Sequence, residues 1–215
     1  MSSDLLEITL LSLAVSGAAT LVSLLIGLPI GTWLALSRFR SRHVVLSVVN
    51  TGMALPPVVA GLFVALLLWR SGILGGLGLM YTPGAMVVAE VVIAVPVVTG
   101  LTVAGLSQLD PRLQVQLQGL GASRWQTVWW LWREARLSLL AAVMAAFGSV
   151  ISEVGAAMMV GGNIAHQTRV LTTSIVLETG RGEFGNAIVL GLVLLALAFI
   201  VNGVLTWAQQ RGPRR

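Results

Sequence analysis

Five stretches of this chain are long enough to cross a membrane and carry almost no charge: 8–37, 44–69, 83–106, 137–160 and 184–210. The acids Glu90 and Glu153 are the exceptions. A spanning helix needs roughly 20 predominantly apolar residues. In lipid every backbone N–H and C=O must find a partner within the protein, and for stretches of this length the α-helix provides it. The pattern predicts an all-α integral membrane protein with about five transmembrane helices. Composition agrees, with 10% charged and 56% hydrophobic residues, against about 25% charged in a soluble domain. The first stretch follows Asp4 and Glu7 and has no basic segment before it. It is also longer than the apolar part of a secretion signal, so it reads as a retained helix.

The basic residues set the expected orientation. All 13 are arginine. If the chain crosses five times, ten fall on one side: Arg38, Arg40, Arg42, Arg112, Arg124, Arg133, Arg136, Arg211, Arg214 and Arg215. Arg70, Arg169 and Arg181 fall on the other. The positive-inside rule then places the N-terminus outside and the C-terminus in the cytoplasm. Although the net charge is +5, the arginines sit between apolar stretches and are not clustered with stacking aromatics, so no nucleic-acid partner is expected. The chain has no cysteine, and His43 and His166 are far apart in sequence. Neither a thiolate nor a histidine metal site is expected.

Prolines interrupt several of these stretches: Pro29 in the first, Pro56 and Pro57 in the second, Pro96 in the third. Each removes a helical hydrogen bond, which membrane proteins tolerate where neighbours or water take up the freed carbonyl. The longest polar segment is 107–136. Asp110 followed by Pro111 is a helix-start signal. Leu113, Leu117 and Leu120 then recur at helical spacing, and the helix is expected to end at Gly119 or Gly121. A second turn is expected to start at Ser123 and run through Trp125, Trp129, Trp130 and Trp132. Such a segment either lies along the lipid surface or docks in the groove of another protein.

The sequence "LGASRW" at 120–125 resembles the cytoplasmic coupling loop of type I ABC-importer permeases. The family's Glu-Ala-Ala reads Val115, Gln116 and Leu117 here, and its later Leu-Pro reads Arg133 and Glu134. A stronger likeness lies in "ISEVGAAMMVGGNI" at 151–164 and "TRVLTTSIVLETGRGEF" at 168–184. These are similar to permeases for tungstate and, more loosely, molybdate; the likeness runs from about residue 50 to the C-terminus. The resemblance implies a type I permease fold with a cytoplasmic coupling helix, in a prokaryotic inner membrane. It implies a homodimer, two cytoplasmic ATPase subunits and an extracytoplasmic oxyanion-binding protein. ATP and Mg²⁺ would be held by the ATPase. The chain has no GxxxxGK[ST] phosphate loop, so it is expected to be a transport subunit without a cofactor, not an enzyme. On this reading Leu113, Leu117, Leu120, Gly121, Ala122, Ser123, Arg124 and Trp125 form the ATPase-coupling loop.

An acid in an apolar stretch is a functional candidate by default, but Glu153 would repel an oxyanion. The reading preferred here makes it a gate or hinge acid, bonded to nearby backbone amides or to an arginine, either Arg169 or one across the dimer. An interhelical tether and a proton carrier are the alternatives. The small residues Gly155, Ala156, Ala157, Gly161 and Gly162 let helices approach closely or let the chain unwind. Glu90 reads as a structurally paired acid. Donors suited to an oxyanion cluster at Asn163, Thr168, Arg169, Thr172, Thr173 and Ser174, with Ser149 and Ser152 before them. Each hydroxyl can instead bond the carbonyl one turn back. A secondary transporter using Glu90 and Glu153 is the other transport class, but no inverted repeat is visible. Tungstate and molybdate are both tetrahedral dianions, and the sequence does not separate them.

Overall fold

In the computed structural model residues 2–210 are described; Arg211, Arg214 and Arg215 of the charge argument lie outside them. The chain forms ten α-helices among the described residues: α1 Ser2–Leu36, α2 Arg42–Met53, α3 Pro57–Leu68, α4 Pro83–Ser107, α5 Pro111–Gly119, α6 Arg124–Glu134, α7 Arg136–Ile151, α8 Gly155–Gly161, α9 Leu171–Gly180 and α10 Phe184–Gln210. A short 3₁₀ turn, Gly75–Leu77, lies between α3 and α4. Three helices are long and apolar enough to cross a membrane alone, α1, α4 and α10. The bent pairs α2–α3 and α6–α7 raise the number to five if each is one span.

The prolines act in two ways. Pro29 and Pro96 sit inside α1 and α4 without ending them. Pro57 instead starts α3, after Ala54, Leu55 and Pro56. A residue before proline is driven out of the helical region, and two prolines in succession extend that effect. The stretch 44–69 is therefore two helices, α2 and α3, meeting at 100°. The stretch 137–160 is likewise divided, with α7 ending at Ile151 and α8 starting at Gly155.

Helix α4 is central and packs on α1, α2, α3, α7 and α8. Its contact with α1 depends on Gly27 and Gly31, spaced four apart. A Cβ at Gly27 would fall 2.7 Å from Val98 Cβ, and one at Gly31 2.7 Å from Thr102 Cβ. Real atoms do not approach so closely, so hydrogen at these two positions is what lets the backbones touch. The same device joins α3 to α8, where a Cβ at Gly61 would fall 2.6 Å from Ala156 Cα. The largest core cluster lies there, with Val64, Leu68, Met86, Ala89, Ile93, Ala156, Ala157 and Val160. By contrast α10 is apolar yet exposed along most of its length, including Leu192, Leu195 and Phe199.

At the end carrying the polar segment, Asp110 caps α5 by accepting from Arg112 N at 2.8 Å. Ser123 and Gln126 form a reciprocal capping box that starts α6. The Trp132 indole donates to Thr32 Oγ1 at 2.8 Å, tying α6 to α1.

Candidate functional site

Chemistry-bearing residues concentrate where α7 stops and the chain turns back through 152–174. Ser149 Oγ donates to Ala146 O and Ser152 Oγ to Gly148 O, both at 2.8 Å. These hydroxyls close on their own helix. The Glu153 carboxyl is buried, with its residue 9% exposed. Its Oε1 accepts from Ala156 N at 3.0 Å, and its carbonyl accepts from Thr172 Oγ1 at 2.8 Å. The acid thus satisfies an amide that the first turn of α8 cannot and also anchors α9. A Cβ at Gly155 would fall 2.5 Å from Val58 Cγ2 of α3 and 3.5 Å from Glu153 Oε1, which explains why a glycine follows so closely.

Of the two partners expected for Glu153, backbone amide or arginine, the structure supplies the amide. Arg169 turns elsewhere: Nε donates to Asn163 Oδ1 and Nη2 to Asn163 O, each at 3.3 Å. Among the described residues no arginine forms an ion pair with Glu153. Asn163 in turn donates to Thr173 O at 3.4 Å, from a left-handed backbone conformation (φ +53°) that follows Gly162 (φ +72°). These two turning residues reverse the chain after α8.

The candidate anion donors are mostly engaged. Thr168 Oγ1 donates to Gly161 O at 2.5 Å and accepts from Ile164 N at 3.0 Å. Thr172 holds the Glu153 carbonyl, and Thr173 Oγ1 accepts from Val170 N at 3.1 Å at the start of α9. They brace the turn and are buried. Ser174 differs: its hydroxyl is buried without a partner. It lines a cavity of about 250 Å³ together with Arg169, Asn186, Asp4 and Glu178. Among the described residues lining it, Arg169 is the one cation, beside the acids Asp4 and Glu178.

What sequence reasoning missed is the neighbour of Glu153. Glu90, on α4, is 3% exposed. It shares a cavity of about 10 Å³ with Glu153, Ser12, Ser16 and Thr172. The residues are 63 positions apart (153 minus 90), so no local pattern links them; the one signal is that both are acids in apolar stretches.

At the opposite end α5 buries none of its residues. Leu113 and Leu117 are half-buried on one side of it, and Leu113 packs on the cluster of Leu106, Leu131 and Ala135. Leu120 and Trp125 are 85% and 84% exposed. Gly121 links them with a left-handed φ of +83°, and Ala122 N closes the turn on Leu117 O at 3.0 Å. Gly121, Ser123 and Arg124 are exposed and Ala122 half-buried, so the segment 120–125 forms a protruding corner. Beside it a groove of about 570 Å³ runs between α1, α5 and α6, lined by Trp33, Gln118, Arg124, Trp129 and Trp132 among others.

Residues 27–212 match the family described as the binding-protein-dependent transport system inner membrane component. This chain belongs to that family. It is 38% identical to a probable anion ABC transporter permease protein of Haloferax volcanii, over 98% of this chain and 93% of that protein. It is also 38% identical to the tungstate uptake system permease protein TupB of Peptoclostridium acidaminophilum, over 94% and 89% of the two. The fold is that of a type I ABC-importer permease. A chain of the MetNI methionine ABC transporter, solved in inward-facing conformations, superimposes with a TM-score of 0.74 at 22% identity, covering 98% of this chain and 95% of that one.

Proposed function

We propose that this chain is the membrane-spanning subunit of an ATP-driven importer for a tetrahedral oxyanion, tungstate. The observation that carries the substrate is the 38% identity, over nearly the whole chain, to a permease named for tungstate uptake. The probable anion permease at the same identity supports the anionic class. The chain crosses the membrane five times, N-terminus outside, with 107–136 in the cytoplasm and 161–183 on the outer side.

The protruding corner of Leu120 to Trp125 docks on a cytoplasmic ATPase. That partner binds ATP and Mg²⁺, since this sequence has no phosphate loop. A binding protein delivers the oxyanion outside. Two copies of the chain assemble about a two-fold axis, as closed symmetry favours for a small subunit; the exposed apolar faces of α10 and of α1 at Leu21 and Leu25 are open to a second copy as well as to lipid. Specificity rests with the binding protein, in keeping with the few free donors around 163–174.

The test is uptake by the complex in proteoliposomes. The chain, its ATPase and its binding protein are supplied with tungstate, molybdate or sulfate, with and without internal ATP. ATP-dependent entry of tungstate in preference to the others supports the proposal. Preferred entry of molybdate or sulfate removes the tungstate assignment. Entry driven by a proton gradient without ATP overturns the importer reading.

A further inference from the structure

The pocket shared by Glu90 and Glu153 has a chemistry that the importer reading does not use. Glu90 comes from the middle of the central helix α4 and Glu153 from the break between α7 and α8. Around them are Ser12 and Ser16 of α1, Val150 and Ile151 of α7, and Val170 and Thr172 leading into α9. Glu153 Oε1 has its amide partner. Glu90 Oε2 is buried and has no hydrogen-bond partner.

Among the described residues no counter-ion lines this space. Glu90 and Glu153 are the titratable residues among those lining the cavity. On α1 the acids Asp4 and Glu7 lie at least five residues before Ser12, at the helix end. On α2, Arg42 and His43 lie at its first turn. On α7, Arg136 is the first residue. Helices α3 and α8 carry no ionisable side chain. Arg169, near in sequence, is held by Asn163. Two carboxylates in one small buried space without a cation repel strongly, whereas a carboxylic acid beside a carboxylate supplies the missing donor. A cavity of about 10 Å³ admits one water at most.

We infer that Glu90 is a positioning residue of the gate: its carboxyl carries a proton and donates it in a hydrogen bond to the Glu153 carboxylate, holding α4 against the break between α7 and α8. Glu153 then has two donors, the Ala156 amide and Glu90, and ties α4, α8 and, through its carbonyl, α9. This fixes the start of α8 at the point where the chain turns back. The role deepens the importer reading in its transport arm, but the protonation itself is independent of any substrate.

Infrared spectroscopy of the permease–ATPase complex in lipid reads that proton directly. The C=O stretch of a protonated carboxyl is expected in the wild type at neutral pH and is lost in E90Q. In E153Q the band persists but shifts, because its acceptor has changed from a carboxylate to an amide. Uptake completes the test. E90Q keeps a donor of the same shape and retains most transport, while E90L removes the donor and lowers uptake by about tenfold or more. Absence of a band assignable to Glu90, or E90Q failing as completely as E90L, overturns the inference. Should E90Q not assemble, an unshifted carboxyl band in E153Q overturns it equally. A complex with the expected band but no ATP-dependent uptake in any form leaves the proton assignment standing and removes the importer reading.

Discussion

At the scale of single residues, the turn at 152–174 shows polar side chains satisfying backbone groups that helix ends leave open. Thr168, Thr172, Thr173 and Glu153 each bond to a carbonyl or amide. Sequence reading placed these residues together as candidate anion donors. Their types were legible, but their partners were not, because a hydroxyl that can bind an anion can equally brace a turn. One further contact fastens the same turn to α1: His166 Nδ1 lies 2.8 Å from Glu7 Oε2. The hydrogen bond to Glu7, with its negative charge, raises the His166 pKa above the ordinary 6.5. A raised histidine pKa favours the folded contact when the ring is charged. The contribution is fully present below pH 6.5 and disappears as pH rises through the raised value. Both side chains are largely exposed, so the effect is local. NMR titration of His166 is expected to show a midpoint above 6.5 in the wild type and a fall toward it in Glu7→Gln. An unchanged midpoint in that variant would show that Glu7 is not the cause.

At the scale of elements, two glycine sites carry separate demands. Gly31 is needed for space: α1 and α4 touch there. Gly31→Val forces α1 away from Thr102 and is expected to destabilise by about 1–3 kcal/mol, as overpacked cores do. Thermal unfolding of the purified complex measures it, and a Tm equal to that of the wild type would refute the close contact. Gly121 has open space around it but a φ of +83°. A β-branched side chain is strained there by about 1–2 kcal/mol, whereas asparagine tolerates the conformation. Gly121→Val is therefore expected to distort the corner at 120–125 and reduce ATPase co-purification and stimulated hydrolysis several-fold, with Gly121→Asn close to wild type. Equal behaviour of the two variants would count against backbone strain as the cause. The cap of α5 was legible from Asp110–Pro111 because capping is local chemistry, whereas Ser123 marked only a turn where the structure forms the capping box of α6. The 100° angle between α2 and α3 was not, since prolines mark where a helix is interrupted and neighbours decide how far it turns.

At the scale of the whole molecule, the proposed topology makes opposite faces reachable from opposite compartments. The chain has no cysteine, so single cysteines report without background. The proposal puts Ile73, 89% exposed between α3 and α4, on the outer side, and Leu120 in the cytoplasm. An impermeant maleimide added to intact cells is expected to label Ile73→Cys at once and Leu120→Cys only after permeabilisation. The reverse pattern would invert the orientation read from the arginines.

Residue order alone dictates that the chain is helical and membrane-embedded, where its main helices lie, and that its two unusual acids need an explanation. Those properties follow from burying apolar side chains and pairing backbone groups segment by segment, and each segment states its own needs. Tertiary structure alone decided that α4 is central, that Arg169 serves Asn163 and not Glu153, and that Glu90 meets Glu153 across a space of about 10 Å³. Such pairings join residues from different helices, and they are set by how helix faces pack, through close contacts such as Gly31 with Thr102 and Gly61 with Ala156. Packing is a property of surfaces meeting, which no single segment of the sequence contains.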